Sequence, residues 1–257
     1  MLSMRGIILL VVLVFGLLPL ACAAENSLPQ RLSVSNTSCR QSSAGVRAVC
    51  LSEYFLGTPY RTNTLGGGPD QKERLTVQLE AVDCFTLIDY VEALRRIDSY
   101  DTFAQALIDV RYRNHNVSWS TRRHYFSDWV ESPLIADVTI AVAGTAVRNV
   151  TKTLNRQANG ESLLPAVPIR ETSLNYIPTE AINGEVVARL QAGDYVGIYS
   201  VKPWLDVSHV GLLVFRDGQP YLRHASSQPA TPYVIDSPLS EYLQGKPGII
   251  VLRPEVM

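Results

Sequence analysis

Neither sign of charge is in excess. Twenty-three Lys and Arg face 24 Asp and Glu, for a formal net charge of −1, and no basic run breaks the balance. This argues against nucleic acid as a partner and leaves no electrostatic membrane patch. Metal-site spacings are also missing: there is no HExxH and no paired CxxC, so a zinc hydrolase has no signature here. The glycine-rich stretch LGGGPD (Leu65 to Asp70) has no strand before it and no Lys-Ser/Thr ending, which excludes a phosphate cradle and suggests a flexible loop beside a cleft. No internal repeat or low-complexity segment is visible.

Cysteine is scarce, with four in 257 residues, and their placement is informative. Arg5 precedes an apolar run ending in small residues, the layout of a secretory signal peptide over residues 1–24. Cleavage after Ala23 or Ala24 would release the remainder, with 25–257 as one domain, periplasmic or extracellular. Cys22 is a candidate lipid anchor, but Pro19 stands where a lipoprotein signal usually carries leucine. An uncleaved anchor ranks third, the run being short for a span. In an oxidising compartment Cys39, Cys50 and Cys84 are an odd set. Cys39 and Cys50 are the close pair, and a disulfide between them would contribute roughly 2–3 kcal/mol. Cys84 is then left free. A thiol kept reduced outside the cytoplasm suits a nucleophile.

With 46% hydrophobic residues the chain can build a real core. A lead-in from Glu25 to about Ser43 is polar and weakly patterned. AGVRAVCLSEYFL suits a helix with Val46, Val49, Cys50 and Phe55 inward, stopped by Gly57 and Pro59. LTVQLE (Leu75 to Glu80) alternates like a short strand. VDCFTLIDYVEALRR (Val82 to Arg96) reads as a helix with one buried stripe, Phe85, Ile88, Val91 and Leu94, and Asp83 at its N-cap. Cys84 then lies at the positive end of the helix dipole, where thiolate is favoured. A further helix fits Asp101 to Arg113. The segment NHNVSWSTRRHYFSDWVES reads as an amphipathic helix with arginines covering apolar surface, or as the lining of a polar groove. From Ile135 to Ile177 the pattern is poor. Sequons at Asn36, Asn116 and Asn149 matter only in a eukaryotic secretory pathway. NGEVVARLQAGD suits a helix stopped near Gly193. Strands are expected at Tyr195–Ser200, His209–Phe215, Pro220–Ser226 and Gly248–Pro254.

Asp217-Gly218 is a two-residue hairpin signal between two of these strands. With that loop, Gly211 faces His224 and His209 faces Ser226. His209 and His224 therefore share a face as diagonal neighbours, roughly 7–8 Å apart at the backbone. A thiol's general base needs a third group to fix its tautomer, and His209 with His224 meets that need. The expected architecture is α+β: helices first, the Cys84 helix central, packed on an antiparallel sheet from the C-terminal half.

The succession LGTPY (Leu56 to Tyr60), DCFT (Asp83 to Thr86), RRHYFSDW (Arg122 to Trp129), NYIP (Asn175 to Pro178), Gly193-Asp194, LDVSHVGLL (Leu205 to Leu213) and LRHASS (Leu222 to Ser227) resembles the N-acetylmuramoyl-L-alanine amidase-like family of bacterial cell-wall hydrolases. That family belongs to the NlpC-type group with a papain-like core. The resemblance implies that Cys84 is the nucleophile, His209 the base and His224 the third polar group. It places Tyr60 at the cleft beside the cysteine and gives Asp83 and Ser208 a part in holding substrate. It implies cleavage of the amide between the lactyl group of N-acetylmuramic acid and L-alanine in peptidoglycan fragments, with a preference for anhydro-muropeptides and no cofactor. Pro203-Trp204 stands where the family often has glycine, which bears on the cleft rim. A γ-D-glutamyl–diaminopimelate endopeptidase on the same fold, and a non-catalytic wall-binding protein, are the rival expectations.

Overall fold

The computed structural model describes Cys39 and residues 43–256. The apolar leader, its cleavage sites, Cys22, Asn36 and most of the polar lead-in lie outside the described residues. Cys39 and Cys50 form a disulfide across 11 positions, with Cα atoms 5.8 Å apart. Cys84 is the free cysteine among the described residues. No helix among these residues is long and apolar enough to cross a membrane.

Three helices come first: α1 (Ala44–Ser52), α2 (Cys84–Arg95) and α3 (Phe103–Arg111). The rest of the chain supplies β1 (Ile135–Asp137), β2 (Arg148–Leu154), β3 (Arg170–Pro178), β4 (Tyr195–Tyr199), β5 (Val207–Arg216), β6 (Gln219–Ala225), β7 (Val234–Pro238) and β8 (Gly248–Pro254). They form one sheet in the order β2-β3-β8-β4-β5-β6-β7, with β1 added against β8. Every pair is antiparallel. The fold is α+β, as expected.

The central strands read as nearly continuous apolar runs because both faces of the sheet are covered. Tyr195, Val210, Leu212, Val214, Ile250 and Leu252 pack with α1, α2 and α3. Their alternating neighbours Val196, Ile198, Leu213, Leu222, Ile249 and Val251 pack with the short helices α4 (Thr139–Ala143), α5 (Gly184–Arg189) and α6 (Leu239–Tyr242).

Several local expectations change. In α1 the inward residues are Arg47, Ala48, Leu51 and Ser52, while Val46 is exposed. The helix α2 is buried nearly all round, because its polar residues have ionic partners. Glu92 takes Arg95, Arg96 and the Tyr195 hydroxyl, and Asp89 takes Arg111 at 2.8 Å. Leu75 to Glu80 is not a strand; its backbone groups bond side chains instead, Gln78 N to the Tyr90 hydroxyl and Thr76 O to Arg111. The segment after α3 is a chain of 3-10 turns, Trp119–Thr121 and Phe126–Glu131, in place of an amphipathic helix. Its arginines are turned inward: one nitrogen of Arg123 donates to the carbonyls of Asp109, Val110 and Tyr112. Ile135–Ile177 contains three strands and α4, and β7 was not foreseen. The helix before Gly193 ends at Arg189, and Gly193 occupies a turn at φ 88°.

Candidate active site

Asp83 caps α2 as expected. Its carboxylate accepts from the amides of Phe85 (3.0 Å) and Thr86 (2.8 Å), and the Thr86 hydroxyl accepts from the Asp83 amide at 2.9 Å, completing a capping box. Cys84 is the first residue of the helix. The amides of Val210, Cys84 and Phe85 approach its sulfur and favour the thiolate, but burial and then the Asp83 charge outweigh them and push the thiol up to about 12. Burial thus outweighs the helix dipole, which alone favours the thiolate.

The hairpin has the expected register. Asp217 and Gly218 both have positive φ, the requirement of a two-residue turn of this hand, and pairing runs from Arg216↔Gln219 to Leu212↔Arg223. Beyond Leu212 the two strands leave the ladder, so the expected pairs of Gly211 with His224 and His209 with Ser226 do not form. Ser226 N instead bonds Tyr233 O. In this gap His209 and His224 share a face: Nε2 of His209 is 2.9 Å from Nδ1 of His224, whose Nε2 is 3.1 Å from Ser237 Oγ on β7. Nδ1 of His209 has no hydrogen-bond partner among the described residues. Burial first, then His224 and Lys246, lower His209 to about 3. Burial lowers His224 to about 4 against the pull of Asp236.

Tyr60 is brought to the same place by a parallel bridge to Val82 and by its amide bond to Pro232 O at 2.8 Å. Burial, then the charges of Cys84 and Asp83, raise its phenol. Ser208 is different. It is the extra residue of a bulge, opposite the step from Ile198 to Tyr199, and its exposed hydroxyl turns to Ile198 O at 3.4 Å, bonding none of Cys84, His209 or Tyr60. Two participants escape sequence reasoning. Ser237 extends the histidine chain from an unforeseen strand. Tyr242, on α6, packs its ring 5.9 Å from that of His209 and 4.7 Å from that of His224. Burial and the Cys84 charge raise it to about 12. No spacing in the sequence links either residue to the histidines.

Two adjoining depressions lie beside Asp83. One, of about 250 Å³, is lined by Asn63, Thr64, Gly67, Trp119 and Arg122 among others. The second, of about 190 Å³, continues along Phe85 and Thr86 to Arg111 and His124. The glycine-rich loop thus does border a groove. Gly67, at φ 78°, is needed there, since a methyl group would strike the Glu73 carboxylate bound to Arg122. The segment after α3 forms the other wall, the reading placed second to an amphipathic helix. Among the described residues no three His, Cys, Asp or Glu side chains gather as a metal site.

Among solved structures, an N-acetylmuramoyl-L-alanine amidase from Bacteroides uniformis has 26% identity and a TM-score of 0.67, over 80% of this chain and 97% of its own. Another structure of an amidase of that name and organism has 25% identity and a TM-score of 0.69, over 88% and 100%. Protein LPG0564 of Legionella pneumophila, with 19% identity, a TM-score of 0.75 and coverage of 91% and 96%, shares the fold. No curated protein matches the chain. Residues 50–249, from the disulfide through both histidines to β8, match the AmiA-like family, described as N-acetylmuramoyl-L-alanine amidase-like, and the chain belongs to that family.

Proposed function

We propose that this chain is an exported cysteine amidase with a papain-like, NlpC-type core. It cleaves the amide between the lactyl group of N-acetylmuramic acid and L-alanine in peptidoglycan fragments, anhydro-muropeptides included. One observation carries the reading: a free cysteine starts a capped helix with its sulfur against the Val210 amide, and the preceding residue, His209, has its Nε2 held by a second histidine and, through it, by a serine. Family membership and the amidase names of the Bacteroides neighbours support the bond assignment.

In the reaction His209 Nδ1 takes the Cys84 proton as the sulfur attacks the lactyl carbonyl. The required tautomer has His209 Nε2–H donating to His224 Nδ1, and His224 Nε2–H donating to Ser237. Because thiol and imidazole are both neutral at rest, proton transfer accompanies attack, and the resulting ion pair is stabilised by its own proximity. The backbone amide of Cys84 receives the developing oxyanion, with the Tyr60 hydroxyl nearby. His209 then protonates the leaving L-alanine nitrogen, and water releases the acyl group from sulfur. Asp83 and Ser208 help to hold substrate at the rim. The mature domain is 25–257; the buried disulfide supports export, and soluble release is favoured over a lipid anchor at Cys22.

Mass spectrometry of reducing and anhydro muropeptides after incubation with the protein tests this. Free peptide beginning with L-alanine is expected. Sugar retaining L-Ala–D-Glu would move the assignment to the endopeptidase, and no cleavage at all would leave the wall-binding reading.

A further inference from the structure

We propose that the depression lined by Phe85, Thr86, Arg111, Arg122, Arg123 and His124 is a subsite for a carboxylate on the peptide half of the substrate, at the residue following L-alanine. This rests on the amidase reading, which sets where the peptide runs.

The position fits. The depression starts at Asp83, next to Cys84, and reaches Asp89, which stands about 7.5 Å beyond Cys84 along the helix at 1.5 Å per residue. A substituent two residues from the scissile bond lies about 7 Å away in an extended chain. The volume, about 190 Å³, has room for about six waters, enough for a carboxylate and its stem.

The charge also fits. Of the two acidic side chains in the lining, Asp83 accepts from the helix amides, and Asp89 is paired with Arg111 through Oδ2 while its buried Oδ1 has no hydrogen-bond partner. Arg122 is paired with Glu73 and donates to Gly66 O at 3.1 Å. Arg123 is the under-compensated cation. One of its nitrogens is committed to three carbonyls, but its Nε is buried without a hydrogen-bond partner. Its carboxylate neighbour Glu131 stands at 3.6 Å, half turned to solvent and already bound to Arg113 at 2.7 Å. Burial holds the Arg123 guanidinium below its usual range, and the Glu131 charge does not make up the loss. Nη2 of Arg111, a residue 1% exposed, also has no partner. A carboxylate entering here would meet guanidinium donors already fixed by the fold, so ordering them costs little on binding.

The stem peptide's D-glutamate carries such a carboxylate, and D-isoglutamine replaces it with an amide of nearly the same shape. The test measures kcat/KM for muropeptides differing only in that group. The wild type is expected to prefer the acid form at least about tenfold, the size of a charge-assisted hydrogen bond, and Arg123→Gln is expected to bring the ratio close to one. Thermal unfolding of Arg123→Gln checks that it folds; if it does not, the wild-type ratio alone decides, because it needs no variant. Equal turnover of the two substrates overturns the subsite while leaving the amidase reading intact. If neither is cleaved, the amidase reading fails, and binding of the dipeptides L-Ala–γ-D-Glu and L-Ala–D-isoglutamine to Cys84→Ala protein decides the subsite alone. Preference for the acid supports it and equal affinity overturns it.

Discussion

Cys84 shows how a single side chain can be recognised from sequence while its state is not. The odd cysteine count and the Asp83 cap mark it, and the structure leaves it without a disulfide partner, its sulfur against the amide of Val210. The dipole suggests thiolate, but burial is the larger effect and cannot be read from neighbours in the chain. A thiol at about 12 and an imidazole at about 3 predict a distinctive alkylation profile. Iodoacetamide reacts with the thiolate, so inactivation should be slow at pH 6 and rise about tenfold per pH unit through pH 9. A rate already level above pH 5 would mean a resting thiolate–imidazolium pair instead. The two histidines were paired correctly because strand parity and the Asp-Gly turn are local facts. Ser237 and Tyr242 were missed because their approach depends on β7 and α6, which no sequence pattern announces.

Among the elements, α2 was legible in extent but not in environment. A helix carrying Asp89, Glu92, Arg95 and Arg96 looks half exposed until its partners are known. Glu92 is 0% exposed, and its two oxygens serve Arg95, Arg96 and Tyr195, joining the helix to β4. Replacing it with alanine leaves two guanidiniums without their carboxylate. Glu92→Ala should lose about 3–5 kcal/mol, read from urea unfolding; a loss below about 1 kcal/mol would show that the cluster adds little. The 3-10 segment Phe126–Glu131 failed as a helix for a related reason. A distant carboxylate takes one of its amides, Asp206 from Ser127 at 2.8 Å, and such a partner is invisible to periodicity. The four strongest strands were read nearly to the residue, since sheet covering on both faces makes them long apolar runs. By contrast β2, exposed along much of its length, gave no signal.

For the molecule as a whole, the two histidines couple the site to stability. Their ordinary value is 6.5, and the fold holds them at about 3 and about 4. Between these values the unfolded chain binds protons that the folded chain refuses. The stability from neutral histidines is therefore complete above about pH 6.5 and is lost as pH falls towards 4, by up to about 1.4 kcal/mol per pH unit for each. Urea unfolding at pH 7 and pH 5 should show this loss in the wild type and a smaller one in a His209→Gln, His224→Gln variant. Equal losses in both would place the acid sensitivity elsewhere. This cost fits a site built to keep its base unprotonated until a proton is supplied by the nucleophile.

That central claim, a Cys84 nucleophile served by His209, is tested most directly by comparing wild type and Cys84→Ala on one defined anhydro-muropeptide, following release of the L-alanine-initiated peptide by mass. The account predicts turnover by the wild type and none above background with Cys84→Ala, whose folded state is checked by its unfolding curve. Turnover by folded Cys84→Ala near the wild-type rate would contradict it.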